Sequence, residues 1–233
     1  MASAATINLS PSDANVFNIL FSPDGPTKTL DPKGLDAASL LGFPEEQFKA
    51  LNQAQKQALK LISDKSPPRA SVEDAIHYLK ALSSEHPDFA PTYVNLAQLR
   101  RLLIGEEIRF SQETVETWEA IITDLFVAIK LATPPSNIPI SEFQTHMLAI
   151  AHTHIGYVMV RASKVGDDAG TFLPPSLKGM NRARLEEVAS YHFSKAAQFG
   201  NEAAQTLAVN LNPYAKLCGS IVKEALKQET QRQ

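Results

Sequence analysis

Residues 71–103, SVEDAIHYLKALSSEHPDFAPTYVNLAQLRRLL, restrict the fold of this 233-residue chain more than any other stretch. Two runs of helical periodicity flank a short break centred on Pro87. In the first, Ile76, Leu79, Ala81 and Leu82 share one apolar face. Ser71 and Asp74 have capping-box spacing, which predicts a helix start at Ser71. Pro87 lacks an N–H and disfavours a helical residue before it, so the first helix should stop at about Glu85. The second run begins at Pro91 and turns Tyr93, Leu96, Ala97, Leu99 and Leu103 to one side. Helix, proline-marked turn, helix is the grammar of a stacked helical array.

The same grammar recurs with a signature of small and large apolar residues. The first unit reads Leu59-x2-Ile62-Ser63, then Ala75-x3-Leu79 and Pro87. The second reads Tyr93-x2-Leu96-Ala97, then Ile121-x3-Leu125 with Ala128. The third reads His152-x2-Ile155-Gly156, then Ala189-x3-Phe193 with Ala196. These are the slots of a tetratricopeptide repeat, in which small residues let two helices cross closely and large ones fill the groove beside them. The separation between slots is 12 residues in the first unit (Ser63 to Ala75), 24 in the second (Ala97 to Ile121) and 33 in the third (Gly156 to Ala189). The second and third units therefore carry insertions, near residues 104–115 and 165–180, where a lengthened loop costs little.

The rest of the chain fits an all-α fold. A helix is expected from Pro44 to about Lys65, with Glu45 and Glu46 favouring its N-terminus and Phe48, Leu51, Ala54, Ala58, Leu61 and Ile62 as its stripe. Others are expected over 112–132, from Ser141 to about Lys164, over 181–199 and over 201–209. A last one, from Pro213 to about Gln228, should cap the array with Leu217, Ile221, Val222, Ala225 and Leu226 on one side. Residues 1–42 hold Phe17, Leu20, Phe21 and Leu35 in a partly irregular context, which predicts a segment wrapped onto the core. Strand signals are absent. The composition, 44% hydrophobic and 20% charged, supports a sizeable core. A formal charge of −3 supplies no basic stripe for nucleic acid. The most apolar late run, 121–132, is far too short to span a bilayer. Cys218 is the single cysteine, which suits a reducing, cytoplasmic setting.

Three stretches go further: Asn18-Ile19-Leu20-Phe21-Ser22-Pro23-Asp24 with Gly34-Leu35-Asp36, Tyr93-Val94-Asn95-Leu96-Ala97-Gln98-Leu99-Arg100-Arg101-Leu102, and Leu211-Asn212-Pro213-Tyr214-Ala215-Lys216-Leu217-Cys218. In these the chain, from about Val16 to Cys218, resembles the tetratricopeptide repeat protein 36 family. It departs from that family in its two insertions and in Pro67-Pro68. The resemblance implies a small three-repeat adaptor without enzymatic activity, and a link to chaperone binding and to tyrosine metabolism.

Grooves of such arrays are lined by the first helices of successive repeats and take peptides. One familiar use resembles a clamp for the terminal carboxylate of a chaperone. Lys60 and Asn95 fall in matching slots, whereas Asp64, Ile150 and His154 replace the Asn, Lys and Arg it requires. An acidic side chain facing a carboxylate is repulsive, so the clamp is incomplete. The candidate protein-binding residues are Lys60, Asn95, Gln98, Arg101 and Tyr157; the bland alternative is that they are ordinary solvated helix positions. No catalytic, cofactor or metal site is expected. His152 and His154, two apart on a helix, point to different sides and cannot chelate together, and His146 completes no ligand set with them. Cys218 has no nearby histidine and is expected to be buried and inert. Gly166-Asp167-Asp168-Ala169-Gly170 lacks the lysine of a phosphate loop. Trp118 is expected in the core. Two functions remain: an adaptor presenting an open groove to a protein partner, or a structural subunit whose groove is filled by its own N-terminal segment.

Overall fold

The computed structural model describes residues 42–62, 67–105, 110–135, 140–165 and 172–230, without the side chains of residues 225 and 226. The expected wrapping segment, the Asp64 slot and the loop at 166–170 lie outside the described residues. Within them the architecture is all-α: α1 (Glu45–Lys60), α2 (Arg69–Glu85), α3 (Ala90–Ile104), α4 (Val115–Ala132), α5 (Glu142–Lys164), α6 (Arg182–Gln198), α7 (Glu202–Leu211) and α8 (Pro213–Thr230), with a 3-10 turn at Pro175–Leu177 before α6. Each helix packs on its neighbours in sequence, and α3 also reaches α5.

Local chemistry sets most of these boundaries. Ser141 and Gln144 form a reciprocal capping box at the start of α5, the Gln144 N–H donating to Ser141 Oγ (3.1 Å) and the Ser141 N–H to Gln144 Oε1 (3.0 Å). Asn181 and Asn201 cap α6 and α7 by accepting the N–H groups of Arg184 and Ala204. Gly200, at φ 96°, follows the end of α6 in a conformation that suits glycine. The expected cap at Ser71 is corrected. The helix α2 starts two residues earlier, after Pro68, and Ser71 lies inside it. Pro67 and Pro68 hold the chain extended up to the first helical residue, so no side-chain cap is needed to stop the helix running back.

Two hydrophobic cores share α3. The first joins α1, α2 and α3 through Leu51, Ala58, Ala75, Leu79, Phe89, Leu96 and Leu99. The second runs from α3 to α7 through Val94, Ala97, Trp118, Ile121, Leu125, Ile155 and Phe193. The signature residues lie in these cores: Ala75, Leu79, Ala97, Ile121, Leu125, Ala128, Ile155, Ala189 and Ala196 are all buried. At the third unit the reason for the small residue is explicit. A Cβ on Gly156 would come within 2.9–3.0 Å of the Phe193 ring, so α5 and α6 cross at a distance that admits only glycine without a shift. Trp118 is fully buried and tilts against Phe110 at 5.0 Å. A buried ion pair of Arg100 with Asp124 ties α3 to α4.

The described parts of the two insertions pack partly onto the core. Leu177 is buried in the second core. The Phe172 N–H donates to the Phe110 carbonyl (3.0 Å), and the Ser176 N–H and hydroxyl both donate to Glu119 Oε2 (3.0 and 2.9 Å). The insertions thus meet each other and α4. The terminal helix α8 forms as expected, yet Tyr214, Leu217, Ile221 and Val222 stay exposed. Cys218 is exposed as well, correcting its expected burial. No apolar layer covers that side of α8 among the described residues, so its one cysteine faces outward with the rest of the stripe.

Candidate functional site

A cavity of about 260 Å³ opens between α1, α3 and α5. These are the helices that the sequence pattern places first in its three units. Leu59 from α1, Val94 from α3, and Phe143, Met147 and Ile150 from α5 give it an apolar floor. One wall is a relay of amides: the Asn95 Nδ2–H donates to Gln55 Oε1 (2.7 Å), and the Gln55 Nε2–H to Asn52 Oδ1 at 3.4 Å. Each amide has two N–H donors and a carbonyl with two lone pairs, so a relay of three retains hydrogen-bonding capacity for an incoming main chain. Lys56 stands at the edge as the one charged lining residue among those described. At the end nearest the start of α1, Phe48 packs edge-on against Phe143 (5.4 Å) and Phe89 (5.9 Å), and Phe43 against Phe89 (5.3 Å).

Of the candidate residues, Asn95 is in the cavity wall. Lys60 is exposed, one turn beyond Lys56, and does not line it. Arg101 lies over the Tyr157 ring at 4.3 Å, with Arg161 on the same ring at 5.9 Å, further along α3 and α5 than the cavity. Gln98 is half-buried on α3 between Asn95 and Arg101, and it too lies outside the lining. Of the clamp slots, Ile150 is part of the apolar floor. His154 is fully buried and neither ring nitrogen has a hydrogen-bond partner. Burial, with Arg101 nearby, pushes its pKa down to about 3, so it is neutral. An apolar side chain and a neutral imidazole thus occupy positions where a carboxylate clamp needs two cations.

The other buried imidazoles face away from the cavity. His152 on α5 meets His192 on α6, Nδ1 to Nδ1 at 2.9 Å, so one nitrogen donates and the other accepts. Burial, then the neighbouring His192 and Lys195, holds His152 down to about 3, and burial holds His192 down to about 4. Two neutral rings in one hydrogen bond are a packing device. Among the described residues no three His, Cys, Asp or Glu side chains gather as metal ligands, and no helix is long and apolar enough to cross a membrane.

Gln55, Lys56, Phe143, Met147 and Ile150 were not singled out as binding residues by sequence. The one local signal was Gln55, a polar side chain between Leu51 and Ala58 on the buried stripe of α1. The others read as ordinary amphipathic positions.

No known protein-family pattern matches the chain, and no solved structure does. The chain is similar to the L-tyrosine degradation gene cluster protein hmgX of Aspergillus fumigatus, at 34% identity over 253 aligned positions that cover 99% of each chain.

Proposed function

This chain belongs to the family of the Aspergillus fumigatus protein hmgX, and from that premise we propose that it serves tyrosine breakdown as a non-catalytic adaptor of tetratricopeptide type. It holds a segment of a protein partner in the cavity between α1, α3 and α5. The observation that carries the reading is the origin of the lining. Three helices alternate in chain order with helices that contribute no lining residue, which is how a repeat array presents a concave binding face.

The size and chemistry of the cavity argue the same way. At about 260 Å³ it falls below the roughly 300–1,000 Å³ usual for small-molecule sites, and it suits one or two anchoring side chains. An apolar floor beside an amide wall suits a segment that buries large apolar side chains while its main chain is hydrogen-bonded. With Ile150 and His154 where cations would be required, an apolar anchor fits better than the terminal carboxylate of a chaperone.

Affinity capture from cells degrading tyrosine tests this. Wild type is compared with Asn95→Ala/Arg101→Glu and with Ile150→Asp, each checked for retained helicity. The wild type should capture a protein of the tyrosine-degrading machinery, and Ile150→Asp should reduce that capture at least tenfold. A folded Ile150→Asp protein that captures the same partners equally well would sink the proposal.

A further inference from the structure

We propose that this cavity has an occupant within the same chain, residues 13–24, and that a partner must displace it. The inference rests on the cavity being a peptide site, and three observations lead to it.

The first is where the described chain begins. Phe43 packs on Phe89, Phe89 on Phe48 and Phe48 on Phe143, a lining residue, so the N-terminal segment is attached at the cavity mouth. About 20 residues separate Phe21 from Phe43. Fully extended, a chain of that length spans up to roughly 70 Å, so it is long enough to reach across two packed helices. Such a tether gives an effective concentration in the millimolar range, on the order of 10³-fold above a micromolar partner.

The second is shape. Val16, Phe17, Leu20 and Phe21 recur at i, i+1, i+4 and i+5, so a helix through them carries one large apolar face. A cavity of about 260 Å³ admits one or two anchors of that size beside its apolar lining residues Leu59, Met147 and Ile150. The third is charge. Asp13 and Asp24 are the only charged side chains before Lys28 and flank the apolar face, while Lys56 is the charged lining residue of the cavity among those described. Self-docking would keep the apolar face covered until a partner with a better anchor arrives.

Hydrogen exchange on the full chain reads this directly. Amides of residues 16–21 should exchange at least tenfold faster in Ile150→Asp than in wild type. In case that variant fails to fold, Lys56→Glu, a charge reversal at an exposed position that would repel a docked segment flanked by Asp13 and Asp24, should give at least a threefold increase. A synthetic peptide of residues 10–26 should bind the full-length Phe17→Asp/Phe21→Asp protein at least tenfold more tightly than wild type, because only the variant has an empty cavity. Equal peptide affinity for the two proteins, or exchange at 16–21 unchanged in both cavity variants, overturns the proposal. If that happens while Ile150→Asp still abolishes partner capture, self-docking falls and the adaptor reading stands. If the peptide result holds while capture ignores Ile150→Asp, the adaptor reading falls and self-docking stands.

Discussion

The two faces of α5 do opposite things with similar residues. Toward α6 it offers His152 and Gly156, and the contact is dense enough that a Cβ on Gly156 would collide with the Phe193 ring. Toward α1 and α3 it offers Phe143, Met147 and Ile150, and no residue fills the space between them among those described. Both faces are apolar, so hydrophobicity does not distinguish them. The difference is packing: one face interlocks at the density of a protein interior, the other keeps a cavity that costs stability unless something occupies it. A packing face should respond to mutation in stability and ignore partners, and a binding face should do the reverse.

The largest effect should come from the closed face. Phe193→Ala removes a buried ring from the crossing and should cost about 3–5 kcal/mol in urea unfolding. Gly156→Ala gains roughly 1 kcal/mol of helix propensity but must push the ring aside, an overpacking cost of about 1–3 kcal/mol. It should therefore destabilise wild type and stabilise the Phe193→Ala background, where the obstruction is gone. Independent, additive effects of the two substitutions would show that the close approach is not what fixes the glycine.

Acid should also destabilise the buried faces. His152, His154 and His192 are held well below their usual 6.5, so between pH 6.5 and about 3–4 the unfolded chain binds more protons than the native one. Their contribution is fully present above pH 6.5 and is lost as pH falls. From pH 7 to pH 5 the loss is up to about 2 kcal/mol per histidine. His154→Met removes one such group without leaving a partner unsatisfied, since His154 has no hydrogen bond to lose. The urea midpoint of that variant should fall less between pH 7 and pH 5 than that of wild type. An identical fall in both would place the acid sensitivity elsewhere.

The closed face was legible in the sequence and the open one only in part. Small and large residues at fixed spacing determine which helices cross closely, and Gly156, Ala189 and Phe193 announced the α5–α6 contact directly. Helix boundaries were legible wherever a side chain or proline enforces them, as at Ser141, Asn181 and Pro213. Ser71 misled because a serine and an aspartate three residues later also occur inside helices, and Pro68 had already set the boundary. The cavity needs the relative placement of three helices, which no local pattern encodes. Asn95 was visible as a polar residue on a first helix, but its partner Gln55 lies 40 positions away. Lys60 and Lys56 differ by one turn, and only the packing of α1 decides which faces inward. In the second insertion, the Gly, Asp and paired Pro of residues 165–178 describe a loop without saying that Leu177 turns into the core.

On the open face, Asn95→Ala separates the two roles. It deprives the buried Gln55 of its 2.7 Å bond and should cost about 1 kcal/mol, well below the Phe193→Ala loss. Partner capture should nevertheless drop severalfold, since Asn95 is part of the amide wall. A stability loss comparable with that of Phe193→Ala, with capture unchanged, would mean that this face is simply more core.

The smallest effect is expected at α8, which tests whether an apolar stripe is structural merely because it exists. Asn212 caps its first turn by accepting the Tyr214 and Ala215 N–H groups (2.9 and 3.3 Å), and Lys216 reaches Glu186 on α6 at 2.5 Å. Glu186 is shared with Arg182, and the Lys216 hydrogen bond is the main reason its carboxyl is held below the usual range. The lysine is 45% exposed, so solvent screening leaves the pair with well under 1 kcal/mol. Lys216→Ala should therefore leave the urea midpoint of the array within about 0.5 kcal/mol of wild type while hydrogen exchange along 214–222 accelerates. Leu217→Ser and Ile221→Ser should be equally silent in stability, because side chains that are 59% exposed have little burial to lose. A cost above 2 kcal/mol for either would show that the stripe is buried in solution. In that case α8 would be a closed face like that of α5 toward α6.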